Sequence, residues 1–576
     1  MAVILAEAGP GPGGAKGLPT LLVRIAGIPL LQRLLTSLAS AGVHDILIVS
    51  GMESESLAGI ERALDTNAMP KRITIGLVKP DRRIDIGDDL SLLRLARERL
   101  DGDLYLLRGD LVFDAPLLDD LNGEGTEAAA AVVSSGPGQK PIGAYLLRET
   151  FVRDWLIPFL AAPTPNRETS ECGLVRLFDE APRKPAAVDV SARRWCIVGD
   201  ASDWMRADVL FSDPATALEL INREFGRYQR SGAADHLVMT NVYFPTEAMR
   251  RDLRQELDAL MTDYPSAQGT LARLMAVVTD QSPEHILVAN GGSELIRAVC
   301  GDADRSVVVP VPTYNEYEAT VPQAHLVRVP LEAPAFRLDV ERLADAARQS
   351  DAGLVVVVSP NNPTGLTVPR EQLEWLIEEL EAQGNVRLLL DESFVDFCAD
   401  PSAQSLATRI EERSAVAILK SLSMACGIPG LRLACLMTRD RQFLETVRGR
   451  LPVWNVNAVA EGFLRLLPRY RTDLARTCAQ VRRECDELAA RLGQIPGVLA
   501  YPSDACFCFV RLPDGVSAEA VALELFTTHR ILVKSCGGKS LPRDYGYLRV
   551  KSRTPDENAR FTQALADVLG TSQGQG

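Results

Sequence analysis

Short apolar runs and helix-like segments alternate along two parts of the chain. In the first part, the runs AVILAE, DILIVSG and DLYLLRGDLVF are separated by segments such as PLLQRLLTSLASAG, whose apolar residues recur at helical spacing. In the second part, the runs ILVAN, SVVVPV, GLVVVVSP, VRLLLDESF and VAILKSLS are almost continuously apolar. Such runs are typical of parallel strands that are buried on both faces. The pattern therefore predicts an α/β protein with a parallel sheet in each part.

The same pattern divides the chain into segments. We expect a Rossmann-like domain over residues 1–210, a helical connector over residues 211–235 and a second α/β domain over residues 236–572. The connector is polar but lacks the richness in Gly and Ser that is typical of flexible tethers. It is therefore expected to hold the two domains in a fairly fixed relation.

Composition limits the classes of function. The chain has 576 residues, of which 46% are hydrophobic, and its 62 basic and 76 acidic side chains give a net charge of −14. This balance argues against nucleic acid or an anionic membrane as the main partner. No run reaches the ~18 apolar residues of a membrane span, and the first residues lack the basic region of a secretory signal. A cytoplasmic protein is expected.

Histidine and cysteine usage does not predict a metal site or a serine hydrolase. The five histidines are scattered along the chain, and the eleven cysteines form no C-x-x-C pair. Zinc sites need clustered ligands, and a Ser-His-Asp hydrolase needs a histidine held between its partners. Both kinds of chemistry are therefore disfavoured.

Two motifs in the second part could hold a flat, phosphate-bearing molecule. The segment NGGSELI places Gly291, Gly292 and Ser293 between a strand and a helix, where free N–H groups and the helix dipole favour phosphate. A tight strand–helix turn would explain these glycines equally well. PTYNEY offers Tyr314 as an aromatic plate for a ring, although ordinary packing is the commoner role of such a tyrosine.

Charged and amide side chains follow the later strands. Asp391 ends the apolar run of LLLDESF, where a carboxylate is costly unless it meets a cation such as a protonated pyridine nitrogen. Asn362 precedes a Pro-Thr-Gly turn in PNNPTG. Arg432 in GIPGLRL and Arg549 in YLRV suit phosphate and carboxylate groups, because the guanidinium is a planar fork of donors.

In this order, the motifs resemble those of fold-type I pyridoxal-phosphate enzymes of the class I/II aminotransferase family. The closest subgroup is similar to histidinol-phosphate aminotransferase and threonine-phosphate decarboxylase. The resemblance implies that Tyr314 stacks on the pyridine ring, that Asn362 contacts the ring hydroxyl and that Asp391 binds the ring nitrogen. Tyr314 and Asp391 would thus also be catalytic residues.

The resemblance also implies the remaining contacts. The coenzyme phosphate would be held by Gly292, Ser293, Ser421 and Arg432. Arg549 would bind the carboxylate of the substrate. Tyr264, in DYPS, matches a family tyrosine that reaches the coenzyme phosphate of a neighbouring subunit, which implies a homodimer.

One position departs from the family pattern. The lysine that is joined covalently to the coenzyme lies eight residues before the phosphate-binding arginine, and the corresponding residue here is Met424. A thioether cannot form this link or transfer a proton. Lys420 lies four residues earlier, and four extended residues span ~13 Å, so it could be the catalytic lysine only if the loop were drawn in differently. We therefore expect pyridoxal phosphate to be bound without a strong covalent link.

A second departure concerns the type of reaction. Phe394 in DESFVDF stands where histidinol-phosphate aminotransferases usually carry tyrosine and threonine-phosphate decarboxylases commonly carry phenylalanine. The resemblance therefore leans towards decarboxylation, and transamination stays open.

The first part resembles the nucleotidyltransferases that join a sugar phosphate, alcohol phosphate or phosphonate to a nucleotide. In that family a Gly-rich loop after the first strand cradles a triphosphate. The loop here keeps its glycines, which are Gly9, Gly11, Gly13 and Gly14, but contains no arginine. Lys16 is the only cation left near it, so the charge that phosphoryl transfer needs is reduced.

The metal site of the same family is also incomplete. Asp110 in LRGD matches its Gly-Asp element, whereas Asp200 in WCIVGDASDW stands one residue late for the second carboxylate. A single carboxylate rarely holds magnesium well. Asp110 is thus a metal ligand, and magnesium a cofactor, only if this domain is active, and we expect a structural or ligand-binding remnant instead.

A fusion of these two domain types resembles enzymes of phosphonate metabolism that attach CMP to an aminophosphonate and act on its amino group. Our first hypothesis is a pyridoxal-phosphate aminotransferase or decarboxylase acting on a phosphonate- or phosphate-bearing amino acid, including one linked to a cytidine nucleotide. The second is a catalytically impaired protein that binds coenzyme or nucleotide and scaffolds an active partner.

Overall fold

The computed structural model describes residues 1–6, 20–50, 73–78, 89–123, 129–133, 141–162, 177–178, 180–182, 185–190, 193–223 and 233–573. The chain divides into two compact units, Met1–Ser231 and Gly232–Gly576. The helix Pro214–Arg223 of the expected connector belongs to the first unit. The Gly-rich loop with Gly9, Gly11, Gly13, Gly14 and Lys16 lies outside the described residues.

The first unit is built on a seven-stranded sheet. In spatial order its strands are Ala186–Asp189, Ala129–Val133, Pro141–Leu147, Leu104–Arg108, Ala2–Ala6, Asp45–Ser50 and Thr74–Val78. Strand Pro141–Leu147 is antiparallel to both neighbours, and the other adjacent pairs are parallel. Two short antiparallel pairs join Leu111–Phe113 to Trp195–Ile197 and Arg24–Ile25 to Ile28–Pro29.

Helices cover both faces of this sheet. Ile4 packs in one core with Leu34, and Leu5 packs in the other core with Leu93, because successive side chains of a strand point to opposite faces. The described α-helices of this unit are Leu30–Ser40, Asp89–Ala96, Pro116–Gly123, Glu149–Phe151, Ile157–Ala161, Ala201–Phe211 and Pro214–Arg223.

The second unit contains a larger, mostly parallel sheet. In spatial order its strands are Ile286–Ala289, Ala434–Met437, Val416–Ser421, Arg387–Asp391, Ala352–Val358, Ser306–Val311 and Leu326–Pro330. Strand Ala434–Met437 is antiparallel to both neighbours, and every other adjacent pair is parallel. Six of the seven strands therefore end at the same edge, and loops at such an edge form the ligand sites of α/β proteins.

A smaller sheet and a layer of helices complete this unit. The smaller sheet is antiparallel and contains Leu499–Ala500, Phe507–Arg511, Tyr547–Lys551 and Lys534–Ser535. A parallel pair joins Ala234–Asp235 to Ile531–Leu532. The α-helices are Glu247–Thr262, Gln268–Thr279, Gly292–Cys300, Asn315–Thr320, Val340–Gln349, Arg370–Gln383, Pro401–Gln404, Arg441–Arg448, Ala458–Leu466, Arg471–Leu492, Ala518–His529 and Pro555–Gln573. Among the helices in the described ranges, none is both long and apolar enough to cross a membrane.

Candidate active site

The predicted site residues of the second unit gather at the carboxyl edge of its large sheet. Gly292 follows strand Ile286–Ala289, Tyr314 follows Ser306–Val311, Asn362 follows Ala352–Val358, and Asp391 and Ser421 end their own strands. Residues that lie far apart in the sequence thus come together because parallel strands share this edge.

An anion cup lies at the start of helix Gly292–Cys300. Gly291 precedes this helix with a φ of 85°, and a Cβ atom there would lie 2.4 Å from Nη2 of Arg432. Only glycine therefore lets the guanidinium lie against the first turn. A Cβ atom on Gly292 would lie 3.8 Å from the Cβ of Ser421. Free N–H groups, a hydroxyl and a guanidinium in one place suit a phosphate.

Tyr314 connects the cup to the place where a ring would lie. Its hydroxyl is hydrogen-bonded to Ser293, and Arg432 is near enough to act on it electrostatically, although burial is the larger effect and raises the pKa of Tyr314. The Tyr314 ring is edge-on to that of Tyr317, with centroids 6.3 Å apart and an interplanar angle of 83°. Ser293, Tyr314 and Arg432 are thus brought together, as their predicted roles require.

Asp391 is a buried carboxylate without a cation. Its Oδ2 accepts a hydrogen bond of 2.8 Å from the Tyr317 hydroxyl, and its Oδ1 accepts one of 3.0 Å from the Ser393 amide. No ion pair to Asp391 exists within the part of the chain that the structure describes. Burial raises the pKa of this carboxyl, and the two hydrogen bonds only oppose that effect. A cationic ring nitrogen would offset the cost of its burial.

Arg549 and Asn362 form a second polar pair at the same edge. Nη1 of Arg549 donates to Oδ1 of Asn362 at 2.9 Å, and Nη2 donates to the carbonyl oxygen of Leu237 at 2.9 Å. Its Nε is buried and has no hydrogen-bond partner. Burial lowers the pKa of Arg549. An arginine with a spare buried donor and no carboxylate is suited to a carboxylate ligand.

Met424 occupies the position of the family lysine in an apolar setting. Its side chain packs beside the cluster that contains Phe394 and Phe507. Its carbonyl oxygen accepts a hydrogen bond of 2.8 Å from the amide of Asn241, which fixes the backbone of this segment. The thioether therefore contributes apolar packing at this position.

Lys420 is not brought to the cup. A Cβ atom on Gly292 would lie 3.6 Å from Cδ2 of Leu419, so Leu419 and Ser421 face the cup and Lys420 points to the other face of the strand. There its Nζ lies 2.8 Å from Oδ1 of Asp396. This ion pair, acting against burial, raises the pKa of Lys420. The expected alternative, that Lys420 replaces the missing lysine, has no support in this arrangement.

The cup, Tyr314 and Asp391 fit a phosphate-bearing pyridine such as pyridoxal phosphate, whereas Met424 provides no amine for a covalent link. Gly291 leaves room for Arg432 at the helix start, and Asp391 lacks the cation that a pyridine nitrogen would supply. In the sequence Tyr314 lies between Gly291 and Asp391, and its hydroxyl is hydrogen-bonded to Ser293 in the cup. These residues are therefore suited to bind and orient pyridoxal phosphate.

Three of the remaining candidate residues are either exposed or already hydrogen-bonded. Tyr264 is 79% exposed and its ring lies 4.5 Å from that of Trp454. In the first unit, Arg108 donates to both carboxylate oxygens of Asp110, at 3.0 and 2.7 Å. Asp200 accepts from the amide of Asp203 and caps helix Ala201–Phe211. No cluster of metal-ligating side chains occurs in the described ranges.

Sequence reasoning missed Tyr317, which donates a hydrogen bond to Asp391. The signal that could have found it was its spacing, because Tyr317 stands three residues after Tyr314 in PTYNEY, one turn along helix Asn315–Thr320. Leu237 was also missed, because it contacts Arg549 through its backbone carbonyl, and that contact does not depend on the type of side chain.

The edge of a largely parallel sheet that carries an anion cup, an aromatic plate and a buried carboxylate defines a coenzyme-binding α/β protein. Residues 244–565 match the family described as aminotransferase class I and II, and the chain belongs to this family. The resemblance stated from the motifs is thereby confirmed.

Relatives and solved structures agree with this assignment. The chain is 36% identical over 601 residues to CMP-5'-(3-aminopropyl)phosphonate synthase of Streptomyces rubellomurinus, covering 96% of this chain and 92% of that protein. It is 29% identical over 325 residues to L-serine phosphate decarboxylase of Sulfurospirillum multivorans, covering 54% of this chain and 81% of that protein.

Solved structures confirm the fold-type I architecture expected for the second part. A decarboxylase from Sulfurospirillum multivorans has a TM-score of 0.54 at 24% identity and covers 62% of this chain and 99% of its own. Histidinol-phosphate aminotransferase from Sinorhizobium meliloti in complex with pyridoxal-5'-phosphate has a TM-score of 0.52 at 20% identity, with 63% and 95% covered.

Gly291→Ala is expected to weaken coenzyme binding. The added Cβ atom would displace the Arg432 guanidinium from the first turn, and loss of a charge-assisted contact to phosphate costs roughly tenfold or more in affinity. Gly430→Ala is the matched control, since its Cβ atom would meet nothing within 4 Å. Fluorescence titration with pyridoxal phosphate measures both. Equal affinities of the two variants for pyridoxal phosphate would contradict the assignment of the cup as the phosphate site.

Asp391→Asn is expected to stabilise the coenzyme-free protein by about 1 kcal/mol at neutral pH, because it removes a buried, unpaired charge while keeping its shape. A raised pKa means that the folded state binds the proton more tightly, so stability falls as pH rises above the unfolded value of ~3.9. The difference in stability between Asp391→Asn and the parent should therefore vanish as the pH falls to ~3.9.

Urea unfolding at several pH values tests this expectation. Asp396→Asn is the contrasting variant, because it leaves Lys420 without its partner and should destabilise the protein. A loss of stability in Asp391→Asn at neutral pH would mean that this carboxylate is compensated in the coenzyme-free protein.

Proposed function

We propose that the second unit binds pyridoxal phosphate and acts as an aminotransferase- or decarboxylase-type enzyme on an amino acid that carries a phosphonate or phosphate group. The observation that carries the proposal is the uncompensated Asp391 carboxylate beside a complete anion cup. A retired site would have no physical reason to keep a buried charge that lowers the stability of the coenzyme-free protein.

Each residue has a definite part in this proposal. When bound, pyridoxal phosphate supplies an electron sink for charge that develops on the amino acid. Asp391 would hold a proton on the ring nitrogen, and Tyr317 and Ser393 orient its oxygens. Tyr314 would cover one ring face, and Arg432 with the first turn of helix Gly292–Cys300 would hold the phosphate.

The substrate class is supported by Arg549 and by the relatives. Arg549 offers a buried donor for the carboxylate of an amino acid. A relative that matches nearly the whole chain is named for a CMP-linked aminophosphonate, and another relative is named for decarboxylation of a phosphate ester of serine. Both names support a phosphonate- or phosphate-bearing amino acid, and the first supports a cytidine-linked one.

One observation favours the second candidate function, a coenzyme-binding scaffold without turnover. Met424 provides no amine, and Lys420 is committed to Asp396. Binding and orientation would then remain while the steps that need a lysine at this position would be lost. A single substitution separates the two candidates.

Met424→Lys is expected to raise amino-group chemistry by at least ~100-fold over the parent, because it places an amine that can transfer protons at the position of the family lysine. Release of carbon dioxide and formation of keto product from phosphate- and phosphonate-bearing amino acids are the measurements. Met424→Leu is the control and should match the parent. A lysine variant that binds the coenzyme but stays inert with all such substrates would favour the scaffold.

We also propose that the first unit is a ligand-binding or structural remnant. The bidentate contact from Arg108 occupies the Asp110 carboxylate that would have to hold magnesium. Asp200 is a helix cap rather than a partner for it. The loss of cations and carboxylates from a phosphoryl-transfer site removes most of its rate.

The full chain should therefore release no pyrophosphate above background from CTP, magnesium and aminophosphonates. Asp110→Ala should make no difference, because no metal is held there in a productive way. Pyrophosphate release that Asp110→Ala abolishes would show that this unit still transfers CMP.

A homodimer is part of the proposal. Tyr264 and Trp454 are 79% and 54% exposed and lie ring against ring, and Val453 beside them is 80% exposed. Exposed aromatic and aliphatic side chains in one place are typical of an interaction surface. In this arrangement Tyr264 would reach the coenzyme phosphate of the second copy.

A further inference from the structure

The second unit has few amines that could serve a coenzyme. Between residues 232 and 576 the sequence contains four lysines, which are Lys420, Lys534, Lys539 and Lys551. A covalent link to an aldehyde needs a primary amine. If the missing function of Met424 is supplied from this unit, one of these four side chains supplies it.

Two of the four are engaged elsewhere. Lys420 is paired with Asp396 on the face of its strand that points away from the cup. Lys551 is only 3% exposed and donates a hydrogen bond of 2.7 Å to the hydroxyl of Thr240. Neither amine contacts a residue on either side of the aromatic plate.

Lys539 lies directly beside that plate. Its Nζ donates to the backbone carbonyl of Thr313 and to the side-chain oxygen of Asn315, the two residues that flank Tyr314. Within residues 233–573 no carboxylate forms an ion pair with it. The amine is therefore fixed at the ring site by neutral acceptors that do not hold its proton as a carboxylate would.

The surroundings raise the fraction of neutral amine above that of an ordinary lysine. Burial lowers the pKa of Lys539 to about 8; Arg549 and Lys534 act in the same direction, whereas Cys536 and Glu318 oppose the shift. Desolvation and a neighbouring cation are the two known ways of making a lysine nucleophilic. At neutral pH roughly one molecule in ten would carry the free amine, against fewer than about one in a thousand for an ordinary lysine.

The remaining lysine, Lys534, is not placed at the plate. None of the hydrogen bonds within residues 233–573 joins its side chain to Thr313 or Asn315, whereas Lys539 contacts both. Lys539 also borders an open cavity of about 590 Å³, whose lining contains none of the residues of the cup or the plate. The contacts at the plate therefore single out Lys539.

We propose that Lys539 supplies the amine that Met424 lacks. Its neutral nitrogen attacks the aldehyde carbon of pyridoxal phosphate, the carbonyl oxygen leaves as water, and a carbon–nitrogen double bond forms with no change in oxidation state. The proposal rests on the proposed function, because it requires the coenzyme to occupy the cup. It revises the expectation from the sequence that the coenzyme is held without a strong covalent link.

Reduction with borohydride tests this proposal without any measurement of turnover. The full chain is incubated with pyridoxal phosphate, reduced, digested and mapped by mass spectrometry. We expect the pyridoxyl group on Lys539, its loss in Lys539→Arg, and no change in Lys551→Arg. Labelling should increase as pH rises through about 8, because the free amine is the reactive form. Labelling of the lysines of residues 1–231 measures non-specific reaction.

The outcomes separate this proposal from the one on which it rests. Pyridoxamine phosphate, which has no aldehyde, should bind both the parent and Lys539→Arg, which shows that the variant is folded. If it binds but the adduct falls on Lys420, Lys534 or Lys551, or if no adduct forms, the proposal for Lys539 is overturned alone. If pyridoxamine phosphate does not bind the parent, the proposed function fails and this proposal fails with it.

Discussion

The burial of Asp391 is the constraint on which the rest of the site depends. A carboxylate at the end of a central strand, surrounded by apolar side chains, is destabilising unless a cation approaches it. Within the described residues, Tyr317 and Ser393 are its hydrogen-bond donors, and no positively charged side chain forms an ion pair with it. We propose that a ligand supplies this cation and that the cup and the aromatic plate position the ligand.

The parallel topology made this arrangement predictable in outline. The apolar runs before Gly292, Tyr314 and Asp391 predicted strands, and parallel strands bring the residues after them to one edge. The order of the motifs then led to the family. Residues that come directly after a buried strand can be recognised from the sequence, because the apolar pattern of the strand is strong.

Contacts between distant segments could not be read in the same way. The close approach of Arg432 to Gly291 depends on φ values of 58° and 85° at the two residues, and no pattern of residue types specifies where a guanidinium will lie. The direction of Lys420 depended on strand register, since a shift of one residue would turn it to the opposite face. Lys539 stands in a loop without periodicity, so only the folded chain reveals what it contacts.

The proposed roles in the second unit fall into two groups. Under the proposal, the cup, Tyr314 and Asp391 bind and orient the coenzyme. Covalent attachment and proton transfer require an amine, which Met424 does not provide. In the first unit, the Asp110 carboxylate is already engaged, because Arg108 donates to both of its oxygens.

A crystal structure of the full chain soaked with pyridoxamine phosphate shows whether a ligand supplies the cation that Asp391 lacks. We expect the phosphate between Arg432 and the first turn of helix Gly292–Cys300, the ring against Tyr314, and the ring nitrogen about 2.8 Å from the Asp391 carboxylate. A pocket that stays empty at saturating ligand, or a ring nitrogen that points away from Asp391, would contradict it.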